Sequence, residues 1–418
     1  MTGTREPEPH VSDAPSADGY DPTSPEVMAD PFPAYQALVE SCPAHRFEGL
    51  ANPMYSLSRR DDVYEMLTDT DIWSNRHGAG ISYDESVGSV QRYDPPEHGV
   101  RRRFLRAPFL PRAAERNEPA IRALANELVD ELLPRGRAEL HDDFAVPLPI
   151  VSFSRILGMD EGDAEHFKHW ADLTTLGMAF PDRAVGVREA VRAYTMNEVR
   201  QRREAVAEAD LPPDADPVGA VVPAGILSQL CCHPLEDGSF ATDEEVTGLV
   251  SMMLVVGHET TTSLITNAAR RLLEDRTRWE RLCAEPHLVE NAIEESLRYD
   301  PPVLGNCRTN NDDLERHGVA IAADSKVMYL VGPPNRDPEL FTEPDEFRID
   351  RPVQESRRHF SFGWGPHFCL GAHVARLAGR VALSTLVDRL PQLRLDGPTE
   401  RLPQPFLWGR YRLPVAWE

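Results

Sequence analysis

The stretch from Phe362 to Ala372 constrains the fold and function of this chain more than any other part of its sequence. It is rich in glycine and ends where an apolar helical pattern begins, over 372–390, so a loop turns directly into a helix. Cys369 lies at that junction, where unpaired N–H groups and the helix dipole favour negative charge. We therefore expect a thiol of lowered pKa that is prepared to bind a metal as its thiolate.

Four residues of this stretch follow the order Phe-x-x-Gly-x-x-x-Cys-x-Gly, namely Phe362, Gly365, Cys369 and Gly371. This order resembles the heme-ligand loop of the cytochrome P-450 family, in which the cysteine binds the iron. The glycines are expected to let the backbone pass close to the flat heme. Two other interpretations have less support. A structural cysteine beside a helix cap does not need the surrounding pattern, and a zinc site with His367 lacks a second closely spaced Cys/His pair.

A second pattern lies inside the longest helical run and reads Val-Gly-His-Glu-Thr from Val256 onward. Gly257 weakens the helix, and the Thr260 hydroxyl can donate to the carbonyl of Val256, which opens the helical ladder. The acid Glu259 and this alcohol then lie side by side and can relay protons to a bound ligand. A zinc-protease motif is excluded, because its second histidine would fall at Thr262.

The same pattern resembles the oxygen-binding helix of the cytochrome P-450 family, in which Ala or Gly precedes a Gly, any residue, an acid and a Thr. The resemblance implies that Glu259 and Thr260 are the catalytic pair that delivers protons for dioxygen activation. Val256 departs from the pattern. Its branched side chain predicts a tighter distal pocket or a differently oriented substrate.

An acid and a base, Glu295 and Arg298, stand one helical turn apart just before a Pro-Pro break. The Glu-x-x-Arg spacing alone is weak, because it recurs elsewhere in the chain. In the family this pair joins a later arginine in an ion triad behind the heme, and Arg351 occupies the matching position. We expect these three residues to serve folding and to take no part in the chemistry.

A third group of residues matches the propionate partners of the family's heme. Half-buried carboxylates need cationic or hydrogen-bonding neighbours, which histidine and arginine provide. His98 and Arg102, on an early helix, resemble the pair that reaches one propionate. Arg308 and His367 match the two other positions. The resemblance therefore implies heme b, iron protoporphyrin IX, bound by these four residues and by the loop around Cys369.

Composition limits the class of protein. The net charge of −24 argues against binding to nucleic acid or to an anionic membrane surface. Six cysteines without a repeated spacing indicate free thiols in a reducing compartment, so we expect a cytoplasmic protein. No signal sequence or bilayer-length apolar run is present, which favours the soluble bacterial type of the family.

The sequence predicts a mainly α protein with a small β region and the single-domain cytochrome P-450 fold. Residues 1–30 are expected to form a flexible acidic and proline-rich leader, and residues 31–418 the heme domain. The loop over 74–93 is a candidate substrate entrance. Periodicity predicts helices over 120–133, 150–157, 187–199 and 246–273, and strands over 319–330, 393–395 and 411–417.

The resemblance implies a heme-thiolate monooxygenase that hydroxylates or oxidatively dealkylates a small to medium hydrophobic substrate. A peroxygenase, an oxidative-coupling enzyme and a non-catalytic heme sensor remain as alternatives. The sequence offers no flavin or iron–sulfur motif, so electrons from NAD(P)H are expected through a ferredoxin and its reductase. The arginines over 101–112 form the expected docking surface. We expect a monomer.

Overall fold

The computed structural model describes residues 20–49, 53–83, 90–212, 214–235, 238–402 and 404–417. The fold is mainly helical, as the sequence predicts. The first helices are α1 Pro25–Ala29, α2 Phe32–Ser41, α3 Arg60–Thr68, α4 Glu97–Leu105, α5 Pro111–Glu115, α6 Glu118–Leu132, α7 Pro147–Leu157 and α8 Ala164–Ala179. The later helices are α9 Val187–Glu208, α10 Ile226–Cys232, α11 Asp243–Val256, α12 Glu259–Glu274, α13 Arg276–Ala284, α14 Val289–Tyr299, α15 Val353–Ser356 and α16 Ala372–Arg389.

The strands form small sheets at the edges of the helical body. They are β1 Ala44–Phe47, β2 Met54–Leu57, β3 Trp73–Ser74, β4 Arg137–Glu139, β5 Gly305–Asn310, β6 Leu314–Arg316, β7 Val319–Ile321, β8 Lys326–Leu330, β9 Arg394–Leu395, β10 Glu400–Arg401, β11 Arg410–Arg412 and β12 Pro414–Ala416. The largest sheet has the order β1-β2-β8-β5-β3, with β2 parallel to β8 and the other pairs antiparallel. A second sheet has the order β4-β12-β9.

Helix α12 runs through the centre of the molecule. Its side chains are buried along most of its length, and the largest apolar cluster packs it against α6, α14 and α16. Two of its buried polar side chains bond to other parts of the chain: Thr262 donates to the carbonyl of Ala145 at 3.0 Å, and Asn267 donates to the carbonyl of Trp408 at 2.7 Å. A helix held on several sides in this way gives a fixed frame for groups at its N-terminal end.

Two predicted elements are each divided in the structure. The helix expected over 246–273 is two helices, α11 and α12, which meet at Gly257 and His258. The strand expected over 319–330 is also two strands, β7 and β8, because Asp324 takes a left-handed turn conformation with φ of 62°. The strands predicted over 393–395 and 411–417 correspond to β9, β11 and β12.

The packed structure begins earlier than the expected boundary at residue 31. Residues 1–19 of the expected leader lie outside the described residues. Tyr20 is only 4% exposed and packs against Tyr35, and Ser24 caps α1 by accepting a hydrogen bond from the Val27 N–H. Residues 84–89 of the expected entrance loop also lie outside the described part of the chain.

The predicted ion triad forms and is completely enclosed. Glu295 accepts hydrogen bonds from Arg298 at 2.7 and 2.8 Å and from Arg351 at 2.9 Å, and all three side chains are at most 1% exposed. Arg298 also donates to the carbonyl of Asn335, whose side chain in turn accepts from the Phe360 N–H at 2.6 Å. The triad therefore holds the segment that leads into the cysteine loop.

No helix within the described ranges combines the length and the apolar character that are needed to cross a bilayer.

Candidate functional site

The cysteine loop is a tight turn closed by its own backbone. The Cys369 N–H donates to the carbonyl of Phe362 at 2.8 Å, and α16 begins three residues after the cysteine, where the sequence predicts. Gly365 has φ of 69°, and a Cβ there would lie 2.6 Å from the carbonyl oxygen of Leu67. This glycine is therefore required by the packing of the loop on α3, a different reason from the expected approach to a flat ligand. Gly371 has φ of −81°, which any residue can adopt.

The predicted lowering of the Cys369 pKa is wrong for the free thiol. Desolvation raises the pKa of this thiol above its ordinary value, while the Gly371 N–H and the charges of Arg102 and Arg376 oppose the rise. The side chain is nevertheless accessible to solvent although it lies deep in the fold, so it faces a cavity. The helix terminus alone does not create a thiolate, and an ion that binds the sulfur would have to displace the proton.

Four basic side chains, predicted from distant parts of the sequence, converge beside this loop. The rings of His98 and His367 lie 4.0 Å apart, and Arg102 donates to the carbonyl of Phe368 at 2.5 Å. Burial, together with the charges of Arg308, His98 and Arg102, lowers the pKa of His367 to about 2. His98 and Arg308 are 2% and 5% exposed.

The two arginines of this basic cluster have no carboxylate partner among the described residues. Among the described residues, no carboxylate lies within ion-pair distance of Arg102 or Arg308, and the buried Nε2 of His367 has no hydrogen-bond partner. Buried guanidinium groups without an anion are costly. The cluster is therefore suited to an anionic ligand with more than one acceptor group.

The helix break between α11 and α12 is the second predicted feature of the site. Gly257 ends α11, and a Cβ at this position would lie 2.3 Å from the ring of Phe153, so only glycine fits. The Thr260 hydroxyl donates to the carbonyl of Val256 at 3.3 Å, as the sequence predicts. Val256 is 40% exposed although it belongs to a central helix. Leu370, next to Cys369, packs against the apolar cluster that includes α11.

A cluster of polar side chains lies behind this break, and it surrounds the predicted Glu259 with residues that the sequence did not predict. Glu259 is 5% exposed, and burial raises the pKa of its carboxyl, as does the neighbouring Asp172 carboxyl, while Lys168 opposes the rise. Lys168 donates to Asp172 at 2.8 Å on α8. His258 is 1% exposed, and burial lowers its pKa to about 4, so its ring is neutral near neutral pH.

A second unpredicted network supports the cysteine loop from the side of α14. The Glu294 carboxylate, 1% exposed, accepts hydrogen bonds from Arg376 at 2.6 and 3.1 Å. Arg376 lies over the ring of Phe362, with 4.4 Å between the guanidinium carbon and the ring centroid. The Nδ1 atom of His359 accepts from the Ser361 N–H, so Nε2 carries the proton and faces Glu294 at 3.3 Å.

Acid should weaken this network and destabilise the fold. Burial alone would raise the pKa of Glu294, but hydrogen bonds from His359 and Arg376 outweigh it and lower the pKa to about 2. Burial lowers the pKa of His359 as well, so Arg376 supplies most of the compensating charge at neutral pH. A carboxyl with a depressed pKa stabilises the fold above its unfolded pKa of about 4.3, and this contribution is lost as pH falls towards 2.

We therefore expect Glu294→Gln to lower the free energy of unfolding by about 3 kcal/mol at pH 7 and by progressively less below pH ~4. Urea unfolding of both proteins between pH 3 and 7 measures the difference. A difference that stays constant over this range would show that the charge of Glu294 does not contribute. Glu290→Gln, on the same helix but exposed, is the matched control with an effect of at most about 1 kcal/mol.

Comparison with known proteins places the chain in a family. A sequence model described as Cytochrome P450 matches residues 173–405. Cytochrome P450 109 of Bacillus spizizenii is 33% identical over 92% of this chain and 91% of its own length. The chain belongs to the cytochrome P450 family. The cytochrome P450 monooxygenase PikC of Streptomyces venezuelae is similar too, at 32% identity over 94% of this chain and 92% of its own length. The protein is therefore an oxidoreductase of the P450 monooxygenase family.

Solved P450 structures confirm the fold. The cytochrome P450 PksS of the Bacillus subtilis bacillaene polyketide synthase superposes with a TM-score of 0.82 at 27% identity. The match covers 96% of this chain and 100% of that chain. CYP109E1 from Bacillus megaterium in complex with testosterone gives a TM-score of 0.81 at 28% identity over 94% of this chain. The predicted mainly α cytochrome P450 fold is confirmed.

Membership of the P450 family implies a heme iron, and the residues present fit that group. The accessible sulfur of Cys369 is a suitable iron ligand. The basic cluster of His98, Arg102, Arg308 and His367, in which neither arginine pairs with a carboxylate among the described residues, suits two carboxylates. Both features lie beside the same loop, as the contact of Arg102 with the Phe368 carbonyl shows.

Sequence reasoning missed the residues that lie behind the P450 motifs. Lys168 and Asp172 have the i, i+4 spacing of an ordinary exposed helix pair, and His258 was considered only as part of a protease motif. The sequence feature that points to Glu294 is its position directly before the triad residue Glu295. Their importance depends on which helices pack together, which spacing along one element does not reveal.

Proposed function

We propose that this P450 is a monooxygenase that hydroxylates or oxidatively dealkylates a small to medium hydrophobic organic molecule. One arrangement supports the proposal most. An accessible cysteine at the start of α16 is combined with a helix break that places an acid, Glu259, beside an alcohol, Thr260. A heme-binding sensor has no need of an acid–alcohol pair at a broken helix.

In this proposal Cys369 would bind the iron of heme b, and His98, Arg102, Arg308 and His367 would bind the two propionates. Phe362, Gly365 and Gly371 shape the ligand loop. A heme bound there supplies reductive activation of dioxygen, favoured by electron donation from the thiolate. The chain's own contribution is to orient the ligand sulfur through the hydrogen bond from its N–H to the Phe362 carbonyl and to balance the propionate charges.

Glu259 and Thr260 are the proposed proton-delivery pair. Thr260 is half-buried, and its hydroxyl donates to the carbonyl of Val256, a contact that competes with the regular helical hydrogen bond. The buried carboxyl of Glu259 is adjacent in sequence and lies against α8. We propose that Glu259 supplies protons and that Thr260 holds the water or hydroxyl that passes them on.

The substrate is proposed to be hydrophobic. Val256 exposes a branched apolar side chain at the break, and Phe180 and Ile81 pack against the apolar cluster that contains Leu304 and Phe406. Among the relatives, CYP109E1 has been crystallised with testosterone, and PksS is named for polyketide biosynthesis. These names support steroid-like and polyketide compounds as the first substrates to test.

Titration of the ferric protein with such compounds tests the function. A substrate should displace water from the iron and shift the spectrum from low to high spin. Turnover with a ferredoxin system should then yield a product that has gained one oxygen atom or lost an alkyl group. Products that form only with added peroxide would instead support a peroxygenase. Products in which two substrate molecules are joined would support an oxidative-coupling enzyme.

Electrons are proposed to come from NAD(P)H through a ferredoxin and its reductase in the cytoplasm. Helix α4 contacts the cysteine loop through Arg102, and its exposed face carries Arg103, with Arg106 and Arg112 exposed nearby. These arginines lie near the cysteine loop, although the net charge of the whole protein is −24. Such a local basic surface suits an acidic partner.

Charge reversal tests this docking surface. We expect Arg103→Glu combined with Arg106→Glu to slow reduction by an acidic ferredoxin at least about tenfold at low ionic strength and to remove most of its salt dependence. Stopped-flow reduction in the presence of carbon monoxide measures the rate. Arg200→Glu, a charge reversal at an exposed position on α9, is the matched control. Unchanged rates with every acidic donor would contradict the proposed partner.

A further inference from the structure

Three potential metal ligands converge behind the helix break. One oxygen of Asp172, one oxygen of Glu259 and one ring nitrogen of His258 lie within 4.8 Å of one another. Asp172 comes from α8, whereas the other two residues come from the start of α12. The site is therefore held by two helices that pack together, and the contact of Gly257 with Phe153 fixes the break between α11 and α12.

The buried polar atoms of this cluster lack partners. Both ring nitrogens of His258 and one carboxyl oxygen of Glu259 have no hydrogen-bond partner, and these residues are 1% and 5% exposed. The Nε2 atom of His258 lies 3.9 Å from a carboxyl oxygen of Glu259, so it is aimed at the cluster. Buried polar groups in native proteins are almost always satisfied, so these three atoms are suited to bind a ligand or an ordered water.

A cation that binds this cluster would replace a proton, because burial raises the pKa of the Glu259 carboxyl to about 8. Two carboxyl groups face one ammonium, that of Lys168, which is 2.8 Å from Asp172. The imidazole is neutral and can offer a lone pair. His141, on the segment packed against α12, is the other titratable group that faces His258, and its ring is engaged by Asp142 at 2.8 Å.

We propose that Asp172, His258 and Glu259 form an inhibitory zinc site. One nitrogen and two carboxyl oxygens are a donor set that Zn²⁺ accepts with three protein ligands and a water, whereas Ca²⁺ and Mg²⁺ prefer oxygen donors alone. Bound zinc would displace the proton of Glu259 to solvent, hold its carboxylate and compete with Lys168 for Asp172. The inhibition rests on the proposed proton delivery by Glu259, but the binding of zinc does not.

Zinc binding is tested on the heme-loaded protein by competition with a chromogenic chelator. We expect one bound equivalent whose affinity falls at least tenfold in His258→Gln and rises in Lys168→Gln, because the latter removes the competing cation. His169→Gln, an exposed change on α8, should leave the affinity unchanged. Asp172→Asn serves in place of His258→Gln if that variant does not fold.

Equal zinc affinity in the wild type and in both ligand variants would overturn the site, as would the absence of a bound equivalent in the wild type. Turnover in the presence of zinc is a separate measurement. Zinc should slow product formation in the wild type and not in His258→Gln. Zinc that binds at the site but leaves turnover unchanged would confirm the site and contradict the role of Glu259 as proton donor.

Discussion

Glu295→Gln is expected to destabilise the protein by at least about 3–5 kcal/mol, a large part of the total stability of an ordinary domain. The substitution removes the anion shared by Arg298 and Arg351, which are 0% and 1% exposed and cannot turn to water. It also weakens the hydrogen bond that Glu295 accepts from the Arg348 N–H at 2.8 Å. Thermal unfolding followed by circular dichroism should show a strongly lowered midpoint or little folded protein.

The control for this prediction lies on the same helix. Glu290 pairs with Arg357 at 2.6 Å, but both side chains are about half exposed, so Glu290→Gln should cost at most about 1 kcal/mol. Equal midpoints for Glu295→Gln and Glu290→Gln would contradict the account of the triad. In that case the loop that leads to Cys369 would be held by its backbone contacts alone.

Substitution of the acid–alcohol pair should have the largest effect on catalysis. We expect Glu259→Gln to slow product formation by about 10²-fold, the lower end of the range for a positioned proton donor. Thr260→Ala should instead divert electrons to hydrogen peroxide, because the hydroxyl at the helix break no longer orders the proton path. Substrate affinity, read from the spin shift, should change little in either variant, which separates proton delivery from binding.

Thr261→Ala is the matched control for this pair. Thr261 is the next residue of α12 and is buried, 5% exposed, and successive residues of a helix point about 100° apart. Its turnover and coupling should stay close to those of the wild type. Normal and fully coupled turnover in Thr260→Ala would contradict the proposed proton path and favour an enzyme that uses peroxide.

The cysteine loop and the Glu295–Arg298 pair could be predicted because each depends on a short local pattern. Phe362, Gly365 and Cys369 lie within one turn and its helix start, and Glu295 and Arg298 lie one helical turn apart. The hydrogen bond from Thr260 to Val256 likewise spans four residues of one helix. The convergence of Arg308 with His98 could be expected only through the family resemblance.

The remaining features depend on packing between distant elements. The pKa of Cys369 is raised because the surrounding fold desolvates the thiol, a cost that the local argument from the helix terminus omitted. Gly365 is required by the backbone of Leu67, about three hundred residues earlier in the chain. The contact of Glu259 with Asp172 also depends on how α8 packs on α12. Spacing along one segment contains no information about such neighbours.

The bond between the Cys369 sulfur and a heme iron is the central claim, and the spectrum of the reduced carbon-monoxide complex tests it most directly. The wild type should give the long-wavelength Soret band of a thiolate-ligated heme, and Cys369→Ser should lose that band. Cys307→Ser, a buried cysteine in β5, should keep the wild-type spectrum. A protein that binds no heme, or a Cys369→Ser spectrum identical to that of the wild type, would contradict the account.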